Sequence, residues 1–210
     1  MSPVAPATLP PGCRHLPGFL DRAQQEALVR ALRAVVAAAP FFIPVMPRSG
    51  RPFSVQMTNL GSHGWVSDRS GYRYQPHHPD TGQPWPTIPG ELLSVWSACL
   101  PDAPAPQACL VNLYRGDARM GLHQDRDEDA LDVPVVSVSL GDAAMFRMGG
   151  PQRGGGTTGI RLESGDVFVF GGESRLNFHG VSRVYAGTSD LLAGGGRINL
   201  TLRRVTAVGG

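Results

Sequence analysis

From residue 108 onward the sequence is one short β-rich segment after another, with no helix-length stretch between them. Segments 108–115, 133–140, 143–148, 160–163, 166–170 and 196–204 are each rich in β-branched and aromatic residues and bounded by turn residues. Parallel strands need long crossover connections, usually helical. Strands in succession without helices therefore predict an antiparallel sandwich or barrel. The 27 glycines and 19 prolines favour the same reading, since they punctuate many short elements. The fold class expected is mainly β with flanking helices, a double-stranded β-helix or jelly roll of the cupin type, whose open mouth commonly holds a metal. No repeat is present, and the runs Gly154-Gly155-Gly156 and Gly194-Gly195-Gly196 read as loop tips.

The first half is organised differently. Residues 1–18 are proline-rich and read as extended. Asp21 can cap a helix carrying Leu28, Ala31, Leu32, Val35 and Val36 on one face, with Gln24 at the capping-box position and Pro40 closing it. Residues 41–89 lack periodicity and read as short strands and loops, with a turn over 77–82. A second helix is expected from about Pro89, with Leu92, Leu93, Trp96, Cys99 and Leu100 on one side.

Hydrophobic content of 41% and charged content of 17% describe a globular chain able to bury a core, expected as a single domain over 1–210. No apolar run is long enough to cross a bilayer, so no membrane partner is expected. The N-terminus has neither the basic start nor the hydrophobic run of a secretory signal. Cys13, Cys99 and Cys109 are odd in number and irregularly spaced, as free thiols in a reducing cytoplasm would be. A cytoplasmic monomer is the expectation. The net charge of +2 does not by itself argue for nucleic acid. All 19 basic residues are arginine, which coding bias toward GC-rich codons explains.

The chemistry lies in His123-Gln124-Asp125, His179 and the closing run Arg197-Ile198-Asn199-Leu200-Thr201-Leu202-Arg203. Alternate residues of a strand share a face, so His123 and Asp125 can approach one ion together, with His179 arriving from a distant strand. Two imidazoles and a carboxylate make a facial set that holds iron(II) and leaves positions open. Alternation along the closing run puts Arg197, Asn199, Thr201 and Arg203 on one face. An inward face of that kind is costly unless it binds an anion. Asn112 and Tyr114 share a face of an earlier strand and complete a cage for two carboxylates. Iron(II) beside a dicarboxylate is the equipment of an oxygenase using 2-oxoglutarate and O2.

The motifs Asn112-Leu113-Tyr114, Leu122-His123-Gln124-Asp125-Arg126-Asp127-Glu128, Pro134 to Gly141, Gly165-Asp166-Val167, Gly171-Gly172-Glu173-Ser174-Arg175, His179-Gly180 and Arg197-x-Asn199-Leu200-Thr201-x-Arg203 resemble the AlkB family of iron(II)- and 2-oxoglutarate-dependent dealkylating dioxygenases. The likeness extends upstream through Met57-Thr58-Asn59, Gly64-Trp65, Gly71 to Tyr74 and Pro84-Trp85-Pro86. One departure is that Gly116 follows Tyr114 one place earlier than the family pattern has it. The resemblance implies that His123, Asp125 and His179 hold iron, and that Asn112, Leu113, Tyr114, Arg197, Asn199, Thr201 and Arg203 bind 2-oxoglutarate. It implies a nucleotide-recognition lid within an N-terminal extension over about 1–85 and a catalytic jelly-roll core over about 86–210. The implied reaction is oxidative demethylation of 1-methyladenine and 3-methylcytosine in DNA, with RNA as a further candidate, releasing formaldehyde, succinate and carbon dioxide.

Substrate contacts are expected from Trp65, Tyr72, Arg73, Tyr74, Asp127 and Arg153, with Arg69, Arg73 and Arg126 as candidate phosphate contacts. A flipped base needs flat walls and contacts to its edge, which Trp65 and Tyr72 can supply from either side. Asp127 can face a cationic methylated ring. Flipping from a duplex costs a few kcal/mol, so single strands are the expected preference. The alternative keeps the same oxygenase chemistry but applies it to a small molecule or protein. A non-catalytic metal-binding jelly roll is disfavoured by the arginine-bearing strand.

Overall fold

A computed structural model describes residues 8–207, so the reading of residues 1–7 as extended lies outside the described residues. The elements run β1 Cys13–Leu16, α1 Arg22–Ala38, β2 Gln56–Gly61, β3 Gly64–Asp68, β4 Gly71–Gln75, α2 Gly90–Cys99, β5 Ala108–Tyr114, β6 Met120–His123, β7 Val135–Gly141, β8 Ala143–Met148, β9 Thr158–Leu162, β10 Val167–Phe170, β11 His179–Tyr185 and β12 Arg197–Arg203. Six strands form a major sheet in the order β1-β10-β7-β12-β5-β2, four form a minor sheet in the order β6-β11-β8-β9, and β3-β4 is a separate hairpin. Every pairing is antiparallel. The fold is the jelly roll that the succession of strands requires.

Alternation divides the core in two. One face of the major sheet carries Val111, Val136, Val138, Leu200 and Leu202 against Leu28, Leu32 and Val35 of α1 and Leu92, Val95 and Trp96 of α2. The other turns Met57, Leu110, Phe168 and Phe170 toward Phe146, Met148, Ile160 and Val181 of the minor sheet. The site lies in this second layer. The first 85 residues supply the β3–β4 hairpin and also β1 and β2, the two edge strands of the major sheet.

Both helices form where expected. Asp21 accepts from the Gln24 amide at 2.8 Å, and the Gln24 side chain accepts from the Asp21 amide at 2.9 Å. Asp21→Ala removes one of these bonds and is expected to cost about 1 kcal/mol, read as a lower denaturant midpoint at unchanged slope. In α2 one assignment needs correcting. Leu93 is 39% exposed, and Val95 takes the inward place beside Leu92 and Trp96. Strand β11 is the distant strand expected to bring in His179, but its extent to Tyr185 has no signal in the segment pattern. Its register shifts between Val181 and Arg183, which breaks the two-residue period by which strands are recognised. Gly116 sits at φ +55° in the turn after β5, a conformation that suits glycine and accommodates its early position.

Candidate active site

Strand β12 lies between β5 and β7, so both its edges are paired. Arg197 stands opposite Tyr114 and Gly141, Asn199 opposite Asn112 and Ser139, and Thr201 opposite Leu110 and Ser137. These side chains form a polar row on the inner face of an otherwise apolar sheet. Arg197 is only 1% exposed. Its Nη2 donates to Ser139 Oγ at 2.7 Å and its Nη1 to the Asp142 carbonyl at 3.3 Å, while Nε has no partner among the described residues. Burial lowers the Arg197 pKa to about 10, against the opposing pull of Tyr114 and, more weakly, Asp166. The same burial pushes the Tyr114 hydroxyl up to about 12, although Arg197 draws it down. Asn112 Oδ1 is also buried without a partner. Leu113 does not join them: alternation turns it to the opposite face, where it lines a groove with Val111, Ile198 and Val29 of α1. Its expected place among the co-substrate contacts is corrected on that ground.

Three candidate metal ligands converge at one end of this layer. Ligand atoms of His123, Asp125 and His179 lie within 4.8 Å of one another. His123 Nε2 is 3.6 Å from Asp125 Oδ1, and His179 Nε2 is 3.7 Å from Oδ2. Each ring points Nδ1 at a backbone carbonyl, Gly121 at 2.9 Å and Asn177 at 3.0 Å. A carbonyl only accepts, so each Nδ1 carries the proton and each Nε2 lone pair is free. Burial, with His123 beside it, lowers the His179 pKa to about 4, keeping the ring neutral and able to ligate. Phe170 and Phe146 pack against this ring at 4.8 and 5.9 Å.

Asp125 reaches the cluster by a route that strand alternation did not describe. Strand β6 ends at His123, and Asp125 lies beyond it. Two arginines hold it there. Arg203 donates to Oδ2 through Nε at 3.0 Å and Nη2 at 2.7 Å, and Arg175 Nη1 donates to the Asp125 carbonyl at 2.6 Å. Burial alone would raise the Asp125 carboxyl, but Arg203 and the two imidazoles hold it well below the usual carboxylate range. Glu128 is the second hub. It is buried, pairs with Arg175 at 3.1 Å and Arg203 at 3.4 Å, and accepts from the Tyr74 hydroxyl. Glu128 and Arg175 were not singled out as site residues. A long-range pair gives no local signal, although both lie in motifs that carry the family likeness.

The hairpin forms one wall of the mouth. Asn59, fully buried, fixes Trp65 to β2 with reciprocal 3.0 Å bonds between its side chain and the Trp65 backbone. Trp65 Nε1 donates to Asp127 Oδ2 at 2.8 Å. Trp65 and Tyr72 stack on each other with centroids 5.6 Å apart and planes 17° apart. The expected slot between them is therefore closed, because a base held between two rings needs them about 7 Å apart. Tyr74 reaches inward to Glu128, away from the rim where a substrate contact would sit. Arg73 pairs with Asp68 at 2.7 Å. Arg153 is exposed, its guanidinium 4.9 Å over the Phe178 ring beside His179. Arg69 and Arg126 are exposed and unpaired among the described residues, and Arg69 lies against Gly50.

Residues 12–203 match the family model of the 2OG-Fe(II) oxygenase superfamily. The chain is 53% identical over 199 residues to the alpha-ketoglutarate-dependent dioxygenase AlkB homolog of Caulobacter vibrioides, covering 95% of this chain and 90% of that one. The chain belongs to the AlkB family. It is 43% identical to AlkB of Escherichia coli, over 85% of this chain and 84% of that one. Among solved structures, that of OsALKBH1 superposes with a TM-score of 0.79 at 34% identity, covering 94% of this chain and all of the other. This AlkB-family protein is an iron(II)- and 2-oxoglutarate-dependent dioxygenase. Its residues fit that equipment: two free Nε2 lone pairs and a carboxylate face one point, and the orphaned Arg197 Nε is a donor awaiting an anion.

Proposed function

We propose that this AlkB-family dioxygenase demethylates 1-methyladenine and 3-methylcytosine in DNA, with single strands preferred and RNA a second substrate. The observation that carries the reading is Trp65: a flat ring at the mouth, backed by Tyr72 and tethered at its edge to the acid Asp127. A flipped base stacks on Trp65 with its methyl group toward the metal site, where His123 is the most exposed of the three candidate ligands. Asp127 then faces the cationic ring. Small-molecule and protein substrates have no use for this platform.

His123, Asp125 and His179 hold the iron, and Asn112, Tyr114, Arg197, Asn199, Thr201 and Arg203 hold or frame 2-oxoglutarate. When bound, the two supply oxidation of the N-methyl group by O2, with succinate, carbon dioxide and formaldehyde as products. Arg203 and Arg175 orient Asp125, the Nδ1 bonds orient both imidazoles, and the Phe170–Phe146 wall excludes water from the inner side of His179. Among the described residues no helix is long and apolar enough to cross a membrane. Free thiols at Cys13, Cys99 and Cys109 suit a reducing cytoplasm.

The test is formaldehyde release from oligonucleotides carrying either lesion, with and without iron(II) and 2-oxoglutarate. No release from either lesion under full conditions removes the proposal. Trp65→Ala is expected to weaken oligonucleotide binding by about 1–3 kcal/mol, the usual worth of base–aromatic stacking. Tyr72→Ala, which only loosens the Trp65 ring, should cost less. Asp127→Asn keeps an acceptor for the indole but removes the charge. Turnover of the cationic lesions should fall more than that of neutral 3-methylthymine, and equal losses on both classes would show that Asp127 does not read charge.

A further inference from the structure

The outer face of the minor sheet carries charge that the reaction does not use. Residues Phe146, Ile160 and Val181 point inward, so their alternates point out. On that outer face Arg161 of β9 and Arg183 of β11 flank Met145 of β8 in a single row. The next row holds Arg147 between Gly159 and Gly180, leaving it no side-chain neighbours across the strands. Arg161 and Arg183 both lie over the Tyr185 ring, at 4.7 and 5.1 Å.

Arg161 and Arg183 stand one strand apart yet converge on one ring, and like charges brought that close repel and need an explanation. The Glu163 carboxylate pairs with Arg161 Nε at 3.0 Å, with both side chains about half exposed or more. Arg147 is steadied through Nε by Thr157 Oγ1 at 2.9 Å. Arg183 has neither an ion pair nor a side-chain hydrogen bond among the described residues. Three guanidiniums are thus held, oriented and under-neutralised over about 10 Å across the sheet and about 7 Å along it. The patch reaches the end of the minor sheet at which His179 enters the site from the other face. Arg147 precedes Met148, the register partner of His179, and Arg153 overhangs the same end.

We propose that this face binds the backbone phosphates of the substrate strand on one side of the flipped base, steering a single strand out of the mouth and down the minor sheet. A ring gripped by arginines and a row of guanidinium forks match the mixture of stacking and charge that holds single-stranded nucleic acid. The inference rests on the nucleic-acid reading above and adds a direction: one flank, not both, is gripped.

Three substrates carrying 1-methyladenine separate the possibilities: a trinucleotide centred on the lesion, and two single-stranded 12-mers with the lesion near the 5′ or the 3′ end. The protein is the iron-loaded enzyme, as wild type, as the triple variant Arg147→Gln/Arg161→Gln/Arg183→Gln, and as Met145→Glu, which sets an acid in the centre of the row. Both variants should turn over the trinucleotide within two-fold of wild type. Affinity for one 12-mer should fall at least ten-fold, and for the other by less than two-fold. In the triple variant the slope of log affinity against log salt should fall by about 2, as loss of three single-strand phosphate contacts predicts. Unchanged binding of both 12-mers, equal loss on both, or equal loss on the trinucleotide overturns the proposal. A wild-type enzyme inert on all three substrates overturns the nucleic-acid reading itself, which distinguishes the two failures.

Discussion

Asp125→Ala is expected to abolish turnover and to destabilise the fold, whereas His179→Ala should abolish turnover with much less effect on stability. Both leave two protein ligands where a facial site needs three, and two hold iron(II) poorly. The difference lies in what surrounds each side chain. Asp125 accepts two hydrogen bonds from Arg203, which is itself buried. Removing the carboxylate leaves that guanidinium with only the longer contact to Glu128 at 3.4 Å. Breaking a buried charge pair in this way costs about 3–5 kcal/mol. His179 is neutral, with a single bond to a backbone carbonyl, and its loss leaves a cavity beside Phe170 but no orphaned charge. Iron(II) titration followed by thermal unfolding of each metal-free variant reads the two effects separately. Near wild-type iron affinity and turnover in either variant would remove that residue from the site.

Several parts of this arrangement are legible in the sequence. The Arg197-x-Asn199-x-Thr201-x-Arg203 alternation identifies a strand whose polar face must be turned inward, because Ile198, Leu200 and Leu202 form the opposite face. The Asp21–Gln24 capping box marks the start of α1 through contacts only three residues apart. What could not be read depends on long-range packing. Asp125 is placed by Arg203 and Arg175, each distant in sequence, and strand alternation from His123 does not describe its position. Glu128 reads locally as one acid in an acidic run, yet it is the buried partner of Tyr74, Arg175 and Arg203. The Trp65–Tyr72 stack is a diagonal cross-strand contact, visible only once β3 and β4 are paired in register. Strand β11 is legible only as the place from which His179 arrives, because its bulge and its exposed Ser182 and Arg183 interrupt the pattern. Leu113 was included for its place in a motif, whereas the two-residue period already put it on the far face from Asn112 and Tyr114.

Arg197→Met should raise the Michaelis constant for 2-oxoglutarate by two to three orders of magnitude while leaving the ligand-free protein as stable as wild type, or more stable. The sign of the stability change follows from the geometry. Arg197 is buried with Nε unpartnered and with neutral hydrogen-bond partners, so the ligand-free protein bears the cost of an uncompensated charge. Replacing such a charge with an apolar side chain of similar length is often neutral or stabilising. With 2-oxoglutarate bound the balance reverses, because the carboxylate that completes the pair now has no cation. Losing one partner costs about 3–5 kcal/mol, and every 1.4 kcal/mol is ten-fold in affinity. Arg197→Lys should also be impaired, since a point charge cannot both bond Ser139 and present a planar fork. Arg203→Ala behaves differently, because it strips Asp125 and Glu128 of their shared partner and so lowers stability without any ligand present. Thermal unfolding with and without saturating 2-oxoglutarate separates these cases. Wild type should gain stability on addition of the co-substrate, as any ligand that binds only the folded state requires. Arg197→Met should start at or above the wild-type midpoint and gain almost nothing. A normal ligand-induced shift in that variant would mean the anion is held elsewhere, and the orphaned Nε would then need another partner.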